Sequence, residues 1–201
     1  RYMMRQKMWW AGALAVVIAA SGIYGYNAVQ AAGSGSTPAS GDQPETAQTG
    51  TNGQTLIGME KAEQLALAEA KGQVESIELD RKRGKLVYEV DIQQDNQDVD
   101  VWIDAYTGQS LGVKVDRDDD DDRDSVPGNL INASRAAHIA VQHAKGGTAV
   151  DVDLDREDDG RWVYEVDVKQ ANGETEVEID AVSGKVLKAE YDKFDDDHDD
   201  D

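Results

Sequence analysis

The feature that most constrains this chain is a block of sequence that occurs twice. Val87-Tyr-Glu-Val-Asp91, followed by Ile103-Asp-Ala-Tyr-Thr-Gly-Gln-Ser-Leu111, returns as Val163-Tyr-Glu-Val-Asp167 and Ile179-Asp-Ala-Val-Ser-Gly-Lys-Val-Leu187. An alanine-rich stretch ending at a glycine precedes each block, so the repeated unit is about sixty residues long. The sequence therefore predicts two copies of one small domain.

Within each copy, apolar and polar residues alternate, which is typical of an antiparallel sheet with one face buried and one face in water. The inward-facing set of the first copy is Ile77, Leu79, Leu86, Tyr88, Val90, Ile92, Val99, Val101 and Ile103. Before it, alanines and leucines at helical spacing up to Gly72 predict a helix, which the second copy repeats up to Gly146 with Asn132 as its N-cap. The predicted fold class is α+β: two tandem repeats, each an α-helix packed on one face of an antiparallel β-sheet.

The connection between the second and third strand of each copy must contain an even number of residues. Only that parity keeps the apolar residues of both strands on the same face. We predict Asn96-Gln97 as this connection in the first copy and Asn172-Gly173 in the second. Asn-Gly is the preferred pair for a type I′ turn, in which both central residues need positive φ.

The shared I-D-A-x-[ST]-G motif is interpreted as a turn and not as an active site. Asp104 and Asp180 are predicted to accept hydrogen bonds from turn amides, and Gly108 and Gly184 to adopt positive φ. The chain has no cysteine, and no histidine is placed to activate a serine. The two histidines of the second helix lack the i, i+4 spacing of a chelating pair. We therefore predict no enzymatic activity, no catalytic residue, no metal site and no cofactor.

The repeated block resembles the PepSY domain, which occurs in the propeptides of thermolysin-type metallopeptidases and in many exported bacterial proteins. The resemblance covers residues 55 to 116 and 129 to 192. It rests on the I-D-A-x-[ST]-G-x-x-L signature at Ile103 to Leu111 and Ile179 to Leu187, joined to the Y-E-V strand upstream and an alanine-rich helix before that. The resemblance implies a helix laid on an antiparallel sheet, no catalytic residues, and a role in restraining peptidases outside the cytoplasm.

The N-terminal segment has the order of an export signal. Arg5 and Lys7 precede an uncharged apolar run from Met8 to Tyr26, so the positive end is expected in the cytoplasm and the remaining chain outside it, in the bacterial cell envelope. The length of the run favours a retained membrane anchor. Val29-Gln30-Ala31 also offers a cleavage site, which leaves open a signal peptide and a secreted protein.

The chain is strongly acidic, with 20 Lys and Arg against 41 Asp and Glu. This charge repels nucleic acid, so we expect no nucleic-acid partner. The densest aspartate runs lie between the copies and at the C-terminus, where a solvated linker and tail are the ordinary interpretation and weak calcium binding is the functional one. The predicted division is 1–31 signal peptide or membrane anchor, 32–54 flexible linker, 55–116 first repeat, 117–128 acidic linker, 129–192 second repeat and 193–201 acidic tail.

The outward face of the first sheet offers a candidate partner-binding patch: Val87, Glu89, Asp91 and Trp102. Trp102 is the unusual member, because the second copy has Glu178 in its place and tryptophan is over-represented among binding hot spots. A lone exposed aromatic with no function, or packing between the two copies, are the alternatives.

The sequence is compatible with two functions. The first is a non-enzymatic, extracytoplasmic binding module that restrains or modulates a secreted or envelope peptidase. The alternative is an acidic, calcium-binding cell-surface protein in which the repeats are a scaffold.

Overall fold

Each repeat folds as one helix followed by four strands. The computed structural model describes residues 55–95, 97–117 and 126–194. The first repeat contains α1 (Met59–Glu69), β1 (Gln73–Lys82), β2 (Lys85–Gln94), β3 (Gln97–Asp104) and β4 (Ser110–Arg117), and the second contains α2 (Ala133–His143), β5 (Thr148–Arg156), β6 (Trp162–Gln170), β7 (Gly173–Asp180) and β8 (Val186–Lys193). The predicted α+β fold with two tandem helix-on-sheet repeats is confirmed.

Several predicted segments lie outside the described residues. These are the signal peptide or anchor (1–31), all of the linker 32–54, and most of the acidic linker and the acidic tail. In the described ranges, no helix is long and apolar enough to cross a membrane.

The eight strands form one sheet, in the order β4-β3-β2-β1-β5-β6-β7-β8, and every neighbouring pair is antiparallel. The repeats join where β1 pairs with β5: Ser76 with Asp153, Ile77 with Val152, and Glu78 with Asp151. This pairing covers the β1 edge of one repeat with the β5 edge of the other, and an exposed edge of this kind is prone to association. Only β4 and β8 remain as edges of the described sheet.

Both helices lie on the same face of the sheet and contact each other. The alanines predicted to face inward, Ala62 and Ala66 in α1 with Ala136 and Ala140 in α2, have no exposed surface. Their small side chains let the helices approach the sheet closely. Between helices and sheet lies a core of valine, isoleucine and tyrosine side chains, including Tyr164, whose hydroxyl donates a 2.9 Å hydrogen bond to a backbone carbonyl ahead of α2.

The start of α2 is not capped as predicted. Asn132 occupies the N-cap position, but its side chain makes no capping hydrogen bond. Instead, Glu63 of α1 points its carboxylate at this helix end, where the hydroxyl of Ser134 donates to it and the amide of Asn132 donates at 3.1 Å. Burial raises the pKa of Glu63, while hydrogen bonds from Ser134 and the backbone of Ala133 favour its ionised form. The first repeat therefore caps the helix of the second.

The predicted parity of the strand connections is correct, but their predicted position is wrong by one residue. Gln94 pairs with Gln97, and Gln170 pairs with Gly173, so each connection has two residues and begins one position earlier than predicted. Neither Asn96-Gln97 nor Asn172-Gly173 is the central pair of its turn.

Gly173 is the first residue of β7 and does not have positive φ, which excludes the predicted type I′ role. A Cβ atom added there would lie 2.3 Å from the carbonyl oxygen of Asp192 and 2.7 Å from the ring of Tyr191. Glycine occupies this position because β8 approaches too closely for any side chain.

The shared motif is a turn, as predicted. Thr107 donates to the carboxylate of Asp104 from its backbone N–H (3.0 Å) and its hydroxyl (2.9 Å), and Ser183 donates to Asp180 in the same way (2.7 and 2.6 Å). The Ser183 hydrogen bonds lower the pKa of Asp180. At Asp104, desolvation opposes ionisation but the Thr107 hydrogen bonds outweigh it, so its pKa is also lowered. The glycine of each motif has a φ of 71°.

Candidate functional site

The face of the sheet opposite the helices, called here the open face, is dense in carboxylates. The pairing register of the strands places many aspartate and glutamate side chains on this face. They are Glu78, Asp80, Glu89, Asp91, Asp98, Asp100, Asp104, Asp116, Asp151, Asp153, Asp155, Glu165, Asp167, Glu174, Glu176, Glu178, Asp180, Glu190 and Asp192. The lysines on the same face are Lys82, Lys85, Lys114, Lys169 and Lys188. Such a surface attracts cations and basic polypeptides and repels anions.

Trp102 lies on the open face in β3, directly opposite Glu89 of β2. Its ring packs over Gly112 of β4, where an added Cβ would lie 3.5 Å from the indole, and the Nζ of Lys82 is 5.4 Å from the ring centroid. A cation at this distance is attracted by the face of the ring. The indole Nε1–H is buried and has no hydrogen-bond partner among the residues that the structure describes. Trp102 is thus half-buried and packed, not a lone exposed aromatic.

Three carboxylates gather beside this tryptophan. Glu89, Asp91 and Asp100 each present a carboxylate oxygen within 4.8 Å of the others. Their partners are Lys82 for Glu89, the Ser76 hydroxyl for Asp91 (2.8 Å) and Lys114 for Asp100 (3.4 Å). Burial raises the pKa of Asp100 although Lys114 lowers it. Hard oxygen ligands of this kind suit calcium, but a cation here would compete with two lysine ammonium groups.

Val87 does not contribute to this surface. It faces the same side of the sheet, between Asp80 and Asp104, but only 2% of its surface is exposed. The prediction that Val87 belongs to an accessible patch is therefore wrong, because its neighbours cover it. The structure brings together Glu89, Asp91 and Trp102.

Lys82, Asp100, Gly112 and Lys114 complete the surroundings of Trp102. The strand alternation predicts Asp100 on the same outward face as Trp102, but Lys82, Gly112 and Lys114 were not predicted from the sequence. A glycine inside a strand indicates that another group approaches the backbone closely, so Gly112 could have been recognised as a position over which a large side chain packs. Lys82 could not, because its position over the ring depends on the β1–β2 hairpin.

The open face of the second repeat has a different character. Glu178 stands where the first repeat has Trp102. Burial and the neighbouring Glu176 raise the pKa of Glu165 to about 7. Burial, followed by Glu174 and Glu176, raises the pKa of Asp167 to about 6. Glu165 is therefore partly protonated near neutral pH, first because burial disfavours its ionised form and second because neighbouring carboxylates do.

The two repeats match a known family separately. Residues 56–114 and 130–190 each match the family described as peptidase propeptide and YPEB domain, or PepSY. The chain belongs to the PepSY family. The predicted recognition of two PepSY repeats is confirmed.

This PepSY chain is similar to two further proteins. The uncharacterized protein YkoJ of Bacillus subtilis (strain 168) is 34% identical over 190 residues, which cover 94% of this PepSY chain and 99% of YkoJ. A crystal structure of a protein provisionally named a lipoprotein, from Clostridium difficile 630, is 22% identical, covers 72% of this chain and 100% of its own, and has a TM-score of 0.48.

Proposed function

We propose that this PepSY chain is a non-enzymatic binding module that acts outside the cytoplasm and restrains or modulates a secreted or envelope peptidase. The observation that carries the proposal is the double match to a family named for peptidase propeptides. The basic-then-apolar order of the N-terminal sequence supports the location.

The contact surface in this proposal is the open face around Trp102. The helices cover the apolar face of the sheet, so the open face is the broad surface left to a partner. There the indole is rimmed by Glu89, Asp91 and Lys82, and an aromatic centre with a charged rim is the usual composition of a binding hot spot. The continuous sheet holds these groups in fixed positions, which lowers the entropic cost of binding.

The shared motif has a structural role in this proposal. Asp104 and Asp180 are engaged by their own turns, and the lowered pKa of each carboxyl makes it a poor proton donor at neutral pH. Restraint of a peptidase by this module then depends on occupying a surface of the enzyme, with no chemical step.

The test is titration of the full chain against extracellular peptidases from the same cells, with inhibition and binding measured together. Trp102→Ala should weaken binding by about thirtyfold, the equivalent of ~2 kcal/mol for a hot-spot aromatic. Glu178→Ala, at the corresponding position of the second repeat, is the matched control and should bind like the wild type. Trp102→Phe keeps an aromatic ring on Gly112 and separates a loss of contact from a loss of folding. If no peptidase binds or slows at roughly micromolar protein, the proposal fails.

A second candidate function is weak calcium binding, and the carboxylate triad Glu89, Asp91 and Asp100 is the observation that favours it. Competition from Lys82 and Lys114 suggests a dissociation constant of about a millimolar, as in weak extracellular calcium sites. Calorimetric titration of the full chain with calcium chloride measures it. Asp100→Asn should reduce the heat of binding relative to the wild type, because the aspartate runs remain, and an unchanged titration would exclude this triad as a site.

A further inference from the structure

The second edge of the sheet has the features of a strand-binding site. β8 pairs with β7 on one side, and the backbone N–H and C=O groups of its other side have no strand partner among the described residues. Exposed apolar side chains lie along it and just beyond it: Leu187 (37%), Tyr191 (54%) and Phe194 (48%). An edge of this kind can accept an extended peptide as an additional strand, with main-chain hydrogen bonds supplying affinity and side-chain pockets supplying specificity.

A cavity of about 590 Å³ opens on the helix side of this edge. His143 and Lys145 at the end of α2 form one wall, and Asn172, Ala189 and Tyr191 form another. The volume is in the range of pockets that hold a small molecule or a large side chain.

Two of the polar side chains in the cavity wall are already engaged with each other and with the end of α2. Gln170 donates from Nε2 to the carbonyl oxygen of Ala144 (2.9 Å), and its Oε1 accepts from the hydroxyl of Thr175 (2.9 Å). The apolar surfaces that line the cavity include the Tyr191 ring and the Ala189 methyl group. An aromatic side chain of a bound segment can stack on the exposed Tyr191 ring.

The open-face side of the same edge carries opposed carboxylates. Glu174 lies directly across from Asp192, and Glu176 lies across from Glu190. Like charges placed opposite each other destabilise a sheet, and Lys188, 3.0 Å from Glu190, offsets only part of this charge. Basic side chains on a strand added beside β8 would relieve the repulsion.

Charge also distinguishes two possible binding partners of the β8 edge, a second copy of this chain and a segment of a different polypeptide. The sequence that follows β8 is Phe194-Asp-Asp-Asp-His-Asp-Asp-Asp201. Two copies of the chain pairing through β8 would bring together two molecules of the same strongly negative net charge, −21 at pH 7. A basic segment of a different polypeptide gains from the same charges.

We propose that β8 binds an extended segment of another polypeptide as an additional strand, with aromatic side chains turned to the cavity and lysine or arginine turned to the open face. This site lies on the second repeat, away from Trp102, and the proposal does not depend on the partner being a peptidase.

The other edge strand provides a matched control. β4 carries Val113 and Val115 where β8 has Ala189 and Tyr191, so it lacks the aromatic wall. On its open-face side, Lys114 pairs with both Asp100 and Asp116, although Asp98 lies directly opposite Asp116. The missing aromatic wall is therefore the feature that distinguishes β4 from β8.

The test uses the full chain in a mild non-ionic detergent and a labelled peptide of alternating tyrosine and lysine. Fluorescence anisotropy measures its affinity against the same peptide with glutamate in place of lysine. The lysine peptide should bind at least about tenfold more tightly, and added salt should reduce the difference. Tyr191→Ala should weaken binding by about tenfold, whereas Val115→Ala should leave it unchanged. Glu190→Lys should shift the preference towards the glutamate peptide, which a fold defect would not do.

Amide hydrogen exchange locates the peptide, which should protect β8 and not β4. Equal binding of the lysine and glutamate peptides, protection of β4 instead, or an affinity insensitive to Tyr191→Ala and Glu190→Lys would each overturn the proposal. So would self-association through β8 that the peptide fails to displace. Failure of peptidase inhibition leaves these measurements unaffected, so the two proposals fail separately.

Discussion

Replacing Glu63 tests whether the first repeat supports the helix of the second. Only 3% of this glutamate is exposed, and its carboxylate accepts hydrogen bonds from Ser134 and Asn132 at the start of α2. Glu63→Ala removes the acceptor and the negative charge that faces the helix N-terminus. The loss falls on α2, although the mutation is in α1.

The expected decrease in the free energy of unfolding of Glu63→Ala combines two destabilising contributions and one stabilising contribution. Losing an N-cap acceptor costs ~1 kcal/mol, and leaving the buried Ser134 hydroxyl without its acceptor costs roughly another 1–3 kcal/mol. Part of this is recovered because a buried carboxylate no longer has to be desolvated, as its raised pKa indicates. We expect a net loss of about 2 kcal/mol, or a melting temperature lower by roughly 4–8 °C.

Urea unfolding followed by circular dichroism measures this loss. Glu69→Ala, an exposed glutamate in the last turn of the same helix, is the control and should change stability by less than about 0.5 kcal/mol. A lower m-value in Glu63→Ala would further show that the repeats no longer unfold together. Equal stabilities of the two variants would refute the idea that Glu63 caps α2.

Two other expectations concern β7 and the open face. Gly173→Ala should destabilise the fold by about 1–3 kcal/mol, because its Cβ would meet the carbonyl oxygen of Asp192 at 2.3 Å, whereas Gly128→Ala meets nothing within 4 Å and should be nearly neutral in the same urea titration. For Glu165, the pKa in the folded state is raised from 4.5 to about 7, so its contribution to stability is complete below pH 4.5 and is lost as the pH rises through 7. Glu165→Gln should therefore match the wild type at low pH and be more stable above pH 7, and the opposite trend across a pH series of melting curves would contradict the assigned shift.

Local signals predicted the local structure well. Alternation in β2 and β3 placed the inward residues correctly, since a sheet with one buried face allows one arrangement. The motif turns were also predictable, because Asp104 and Gly108 act on groups a few residues away. The β1–β2 turn was missed although its signal is local: Arg83 and Gly84 both have positive φ (51° and 82°), as a type I′ turn requires.

Features that depend on distant parts of the chain were not predictable. Asn172-Gly173 is a strong turn signal, but the approach of β8 decided the position of Gly173, and the hairpin sequence does not encode that approach. The join between β1 and β5 places Glu78 opposite Asp151, a pairing that charge alone would argue against. The contact of Glu63 with α2, and that of Lys82 with Trp102, likewise depend on how whole elements meet.

The join between β1 and β5 makes the molecule a pseudo-dimer carried on a single chain. In a dimer of identical subunits, every substitution appears on both sides of the symmetry axis, so a residue that benefits one half must be tolerated by the other. Here Glu63 has Ala137 as its counterpart, and Trp102 has Glu178. Covalent linkage thus frees each half to change alone, and one half can specialise in recognition without altering the other.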